Sequence, residues 1–175
     1  MVTQCPRVLV VTGASGAGKT TLVRAVEARG VAGASFHYFD SIGVPSVERM
    51  SAEFGSPVDW QLAMTDRWIE RLAAGTGGLA VLDGQVRPSV VREAFARHHV
   101  DGHVVLIDCT HAVREARLRD SRRQPELNTE DMARWAAYLR GQADALGLPV
   151  LDTTTLNVAA AADWLHAQVS GLAAV

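Results

Sequence analysis

The chain is poor in lysine and cysteine and contains no long apolar run. Of its 17 basic residues, 16 are arginine, and Lys19 is the lone lysine. The two cysteines, Cys5 and Cys109, are too few for a disulfide framework or a cysteine-based zinc cluster. Acidic residues number 19 and leave a formal charge of −2. The positive excess that drives binding to nucleic acid or anionic membrane is therefore missing, and neither is an expected partner. No apolar stretch approaches the roughly 20 residues of a membrane-spanning helix. The N-terminal region offers only Arg7 and the short apolar run 8–11, which is too brief for a secretory signal, so the expected location is the cytoplasm. What is present is 175 residues at 48% hydrophobic content. That suits one domain spanning 1–175, since a chain of roughly 150 residues buries close to 70% of its unfolded surface.

The scarcity of lysine has a local explanation. Residues 7–12 read RVLVVT, the β-branched pattern of a strand buried on both faces. The run continues into Gly13-Ala14-Ser15-Gly16-Ala17-Gly18-Lys19-Thr20, which fits G-x-x-x-x-G-K-[ST] in full, and a helical pattern through Leu22, Val23 and Val26 follows. Glycines allow the backbone to turn its N–H groups around a phosphate, and the helix N-terminus adds a partial positive charge. Lys19 would meet the β- and γ-phosphates as a compact point charge, where the broad arginine fork would not fit. Thr20 would set its hydroxyl on Mg²⁺, and Thr21 would contact the α-phosphate. Strand, loop and helix in this order mark a nucleotide phosphate site, with Gly13, Ser15, Gly16, Ala17, Gly18, Lys19, Thr20 and Thr21 as its residues.

Strands and helices alternate along the rest of the chain. Strands are expected at 35–39, 79–82, 103–107 and around 150–151, and helices at 44–54, 58–74, 88–97, 112–122, 128–145 and 157–169. Asn128 is the expected cap of the 128–145 helix. Such alternation means a parallel sheet covered on both faces, with ligands outside the carboxyl ends of the strands. Asp40, Asp83, Asp108 and Asp152 all fall at strand ends, so the chemistry is expected to gather there.

Gly13-x-x-Gly16-x-Gly18-Lys19-Thr20, Asp83-Gly84-Gln85-Val86-Arg87 and the arginine-rich stretch 114–123 together resemble the P-loop nucleoside, nucleotide and small-molecule kinases, a family that includes adenylate, shikimate and gluconate kinases and chloramphenicol phosphotransferase. The resemblance runs through nearly the whole chain in order, and the glycine loop is its specific part. It implies a three-layer α/β/α fold around a five-stranded parallel sheet of order 2-3-1-4-5. It also implies acceptor-binding helices at about 44–74 and a short lid at about 114–128.

The acceptor side follows from the same comparison. In similar kinases an aspartate at the end of the second strand accepts the proton of the acceptor hydroxyl, which suggests this role for Asp40; capping of the next helix is the competing role. Asp83 would hold Mg²⁺ through water or orient the acceptor, and Arg87 would grip an acceptor phosphate or carboxylate. Trp60 and Arg67, with Asp66, are available to line an acceptor pocket, whereas Trp68 reads as core. Adenylate kinase carries an arginine three residues after its strand-two aspartate. Gly43 occupies that position here, which argues against a nucleoside monophosphate as acceptor.

On the lid side, Arg114, Arg117, Arg119, Arg122 and Arg123 place five positive charges within ten residues. A solvated basic helix is the ordinary reading of such a run. Its lid position instead suggests arginines that neutralise the transferring phosphoryl group, with Arg117 and Arg122 best in register and Arg123 the substitute. Thr153 falls where similar kinases place a loop beside adenine. The histidine pair 98–99 and His103 lack metal-ligand spacing. A guanine-reading N-K-x-D motif would need a second lysine, and the L-S-G-G-Q segment of transporter ATPases is absent. The expected activity is transfer of the γ-phosphate of ATP, with Mg²⁺, to a hydroxyl of a small-molecule acceptor carrying a hydroxyl (or phosphate) group, by a monomer or homodimer. A nucleoside monophosphate kinase or a regulatory ATP-binding module is the alternative.

Overall fold

Val8, Leu9, Val10 and Val11 are wholly buried, so strand β1 (Arg7–Thr12) must be covered on both faces. Each such side chain contributes about 2 kcal/mol relative to exposure, which places β1 at the centre of the sheet. The computed structural model, which describes residues 5–75, 77–121 and 123–174, has five strands: β1, β2 (Ala34–Tyr38), β3 (Leu79–Asp83), β4 (Asp101–Asp108) and β5 (Val150–Asp152). All pair in parallel, in the order β2-β3-β1-β4-β5. The expected sheet is borne out in order and direction.

Side-chain alternation divides the core into two layers. Leu9 and Val11 pack with Leu22, Val23 and Val26 of α1 (Lys19–Arg29) and with Leu165 and Val169 of α7 (Val158–Ala173). Val8 and Val10 pack with Met64, Trp68 and Ile69 of α3 (Pro57–Ala73), and with Val91 and Phe95 of α4 (Pro88–Arg97). A small third cluster joins Leu106 to Leu139 and Ala143 of α6 (Glu130–Leu146). Helices therefore cover both faces, giving the three-layer α/β/α architecture. Among the described residues no helix is long and apolar enough to cross a membrane.

Several element boundaries differ from expectation, and three of the differences have a local reason. Helix α2 (Val47–Phe54) starts three residues later than position 44, because Ser46 is its cap and accepts from the Arg49 N–H. Thr129, not Asn128, caps α6 by accepting from Met132 N at 3.1 Å. The 112–122 helix divides into α5 (His111–Ala116) and a wider π-helical turn over Arg117–Ser121, which holds Leu118 fully buried while Arg117 turns back to the glycine loop.

Candidate active site

The loop after β1 requires its glycines at the points of closest approach. At Gly13, φ is +152° and a Cβ would lie 2.1 Å from the Ile107 carbonyl oxygen. At Gly16, φ is +82° and a Cβ would lie 2.8 Å from Cγ of Arg114. Helix α1 begins at Lys19 with Gly18 as its N-cap, with no capping side chain and no acidic residue in the first turn. Its first N–H groups are thus left without a side-chain acceptor from the cap, the arrangement that suits an anion.

A cleft of about 810 Å³ opens over this loop at the carboxyl ends of the strands. Lys19 lies in it largely buried, its Nζ donating to Ala14 O at 3.3 Å. Thr20 donates its hydroxyl to Asp83 Oδ2 at 2.5 Å, bridging the start of α1 to the end of β3. The other Asp83 oxygen, Oδ1, is buried with no hydrogen-bond partner among the described residues. Burial pushes the Asp83 carboxyl above the ordinary aspartate range, against the opposing pull of Lys19 and the Thr20 hydrogen bond. An orphaned carboxylate oxygen beside a threonine hydroxyl is a donor set suited to a hard divalent cation such as Mg²⁺.

Arg117 reaches the same cleft from the π-helical turn. It donates to Ala17 O at 3.1 Å, to Thr153 Oγ1 at 2.9 Å and to Thr153 O at 2.9 Å. Thr153 in turn donates to Ala17 O, so one knot ties the glycine loop, the loop after β5 and the turn after α5. Asp40 also lines the cleft, within a 3-10 turn, Phe39–Ile42, directly after β2. Its side chain caps no helix, because Ser46 caps α2. Ser15, Gly16, Ala17, Gly18, Lys19, Thr20, Thr21, Asp40, Asp83, Arg117 and Thr153 are thus brought together around one cleft. Gly13 shapes the loop from behind.

Among the described residues, Trp60, Arg67 and Arg87 are not brought to this cleft. Trp60 is buried in the core, its ring edge-on to Phe39 at 6.0 Å, because the α3 face it occupies packs beneath the 3-10 turn. Arg67 is exposed on α3, on a face that does not border the cleft. Arg87 does not line the cleft; it is hydrogen-bonded to Gln61 Oε1 and lies 4.8 Å over the Trp135 ring. Asp66 pairs with Arg97 and His98. On the lid side Arg119 is a solvated partner of Asp120, Arg114 is buried against His111, and Arg122 lies outside the described residues.

The cleft residues that escaped the sequence reading include Arg24, Tyr38 and Gln85. Arg24 falls four residues after Thr20 on α1, a spacing that placed it on the same helix face. Its guanidinium lies 5.6 Å over the Tyr38 ring. The Tyr38 hydroxyl donates to Glu27 at 2.5 Å, and burial with that bond raises its pKa to about 12. Gln85 was visible in the Asp83-Gly84-Gln85 segment but had no assigned role.

No family model matches the sequence, and no curated protein matches it. Solved structures do match over nearly its full length. A gluconokinase from Sinorhizobium meliloti 1021 is 21% identical, with 97% of this chain and 94% of that one covered at a TM-score of 0.68. The tunicamycin resistance protein of Deinococcus radiodurans is 19% identical over 93% and 95% of the two chains, with a TM-score of 0.65. A shikimate kinase from Acinetobacter baumannii, solved with shikimate, is 18% identical over 97% and 96%, with a TM-score of 0.61. With its glycine loop, its 2-3-1-4-5 sheet and these neighbours, the chain has the fold of the P-loop kinases.

Proposed function

We propose that the protein is a kinase that transfers the γ-phosphoryl group of ATP, with Mg²⁺, to a hydroxyl of a small molecule. The observation that carries this reading is the pairing of Thr20 with Asp83, one buried Asp83 oxygen left unpartnered, beside Lys19 and across the cleft from Asp40. Phosphoryl transfer asks a protein chiefly for positioning and charge stabilisation, and these residues supply both. Mg²⁺, held by the Thr20 hydroxyl and by Asp83 directly or through water, would neutralise phosphate charge. The loop N–H groups and Lys19 bind the triphosphate, and Arg117 adds positive charge from the lid side. Asp40 orients the acceptor hydroxyl and takes its proton as the new O–P bond forms.

The test is an ATP-consumption screen with sugars and sugar acids, shikimate-like acids, nucleosides, nucleoside monophosphates and hydroxylated antibiotics. A hydroxyl compound is expected to accelerate ADP release. The Asp40→Asn variant should then lose acceptor-dependent turnover by about 10²-fold or more while MgATP affinity stays within a few-fold. Unchanged turnover removes Asp40 as the base. ATP binding that no acceptor accelerates returns the chain to a regulatory role.

A further inference from the structure

The seam between the phosphate loop and the acceptor wall carries one polar pair that the mechanism above does not use. Ser15, the third residue of the loop, donates its hydroxyl to Gln85 Oε1 at 3.0 Å. Both side chains are half-buried and both border the cleft. Gln85 follows Asp83 by two residues and is fixed from below as well, since its backbone carbonyl accepts from Gln61 Nε2 at 2.8 Å. The neighbouring backbone is pinned in turn: Thr12 Oγ1 donates to Val86 O at 2.7 Å and accepts from Val86 N at 3.1 Å. The carboxamide is therefore held at its oxygen by the phosphate loop and at its main chain by α3 and β1. Its Nε2 amide has no protein partner among the described residues.

A carboxamide whose acceptor end is occupied presents two N–H donors from the other end. They stand at the border of the loop that cradles the triphosphate and the wall that carries Asp40 and Asp83. We infer that Gln85 is a catalytic residue. Its Nε2–H donates to an equatorial oxygen of the phosphoryl group in flight, and Ser15 is the positioning residue that holds the amide in that orientation. Gln85 adds no charge. Its contribution is a neutral donor aimed at oxygens that gain negative charge during transfer, which is where a fixed donor contributes most. The assignment rests on the phosphotransfer reading of the cleft.

The experiment compares wild type, Gln85→Leu, Gln85→Glu, Ser15→Ala and the Ser15→Ala/Gln85→Leu double variant. Turnover of MgATP is followed by ADP release, with water alone and with any acceptor from the screen, and affinity by titration with a fluorescent ATP analogue and magnesium. Gln85→Leu is expected to lower kcat about 10²-fold with analogue affinity within threefold. Gln85→Glu keeps the shape, guards against a folding defect in the leucine variant, and is expected to lose at least as much because its carboxylate repels phosphate. Ser15→Ala is expected to lose about five- to tenfold, since a freed amide still samples the right orientation. The double variant should fall no further than Gln85→Leu, because Ser15 acts through Gln85. Turnover of Gln85→Leu within twofold of wild type overturns the catalytic assignment, and multiplicative losses in the double variant overturn the positioning role of Ser15. A wild-type protein that does not bind the analogue overturns the phosphotransfer reading, and this inference with it.

Discussion

The two walls of the cleft are built differently. On the loop wall each functional group is fixed by buried neighbours: Gly13 against Ile107, Lys19 folded onto Ala14, Thr20 locked to Asp83, and Arg117 knotted to Ala17 and Thr153. On the acceptor wall Asp40 is exposed in a four-residue turn, and in α2, which follows that turn, Met50 is the sole buried residue. Ile42, Val44, Val47 and Val58 lie exposed around this segment. Under the proposed function, the loop wall holds a constant ligand in one geometry. The acceptor wall is lightly anchored, as expected of a surface that orders around its ligand.

Substitutions on the loop wall should do the most damage. Lys19→Ala is expected to cost about 10³-fold in MgATP turnover, near 4 kcal/mol, with little change in melting temperature. A loss under tenfold means that the loop wall does not grip phosphate. Gly13→Ala should cost about 3 kcal/mol in stability by thermal or denaturant unfolding, because its Cβ meets a backbone carbonyl that cannot step aside. A melting temperature close to wild type would show the loop wall to be as pliable as its opposite.

Asp83 gives a subtler effect with a definite pH dependence. Burial raises its folded pKa, so its contribution to stability is fully present below the ordinary aspartate range and is lost as pH rises through the raised value. Without magnesium, wild type should therefore lose more melting temperature between about pH 4 and pH 7 than Asp83→Asn. Added magnesium should restore it increasingly as pH rises, and should leave Asp83→Asn unmoved. An equal response of both proteins to magnesium removes Asp83 from the cation site. The smallest effect is expected on α2, beyond the acceptor wall. Arg49→Ala breaks an exposed pair with Glu53 at 2.6 Å and should cost no more than about 0.5 kcal/mol by the same melts.

The same contrast explains what was legible in the sequence. The loop wall could be read because its requirements are local: a β-branched strand, glycines where φ is positive, and a helix opening with lysine and threonine. The sheet order came through resemblance, since parallel pairing joins residues about 70 apart, such as Val10 and Leu82. The acceptor-side residues carried no local signal of their placement, because their side chains are held by distant partners that no spacing reveals. Trp60 is taken by Phe39, and Arg87 by Gln61 and Trp135. Among the lid arginines Arg117 was singled out by resemblance and not by any local pattern, since it is the π-helical turn that faces Arg117 to the loop while Arg119 meets solvent.

The scarcity of lysine has a practical consequence. A reagent that acylates amines has one ε-amino group to find in this sequence, and that group lies inside the cleft. The rate at which that single position is labelled, followed by mass spectrometry, therefore reports cleft occupancy directly, and any nucleotide or acceptor can be ranked by how well it shields one atom.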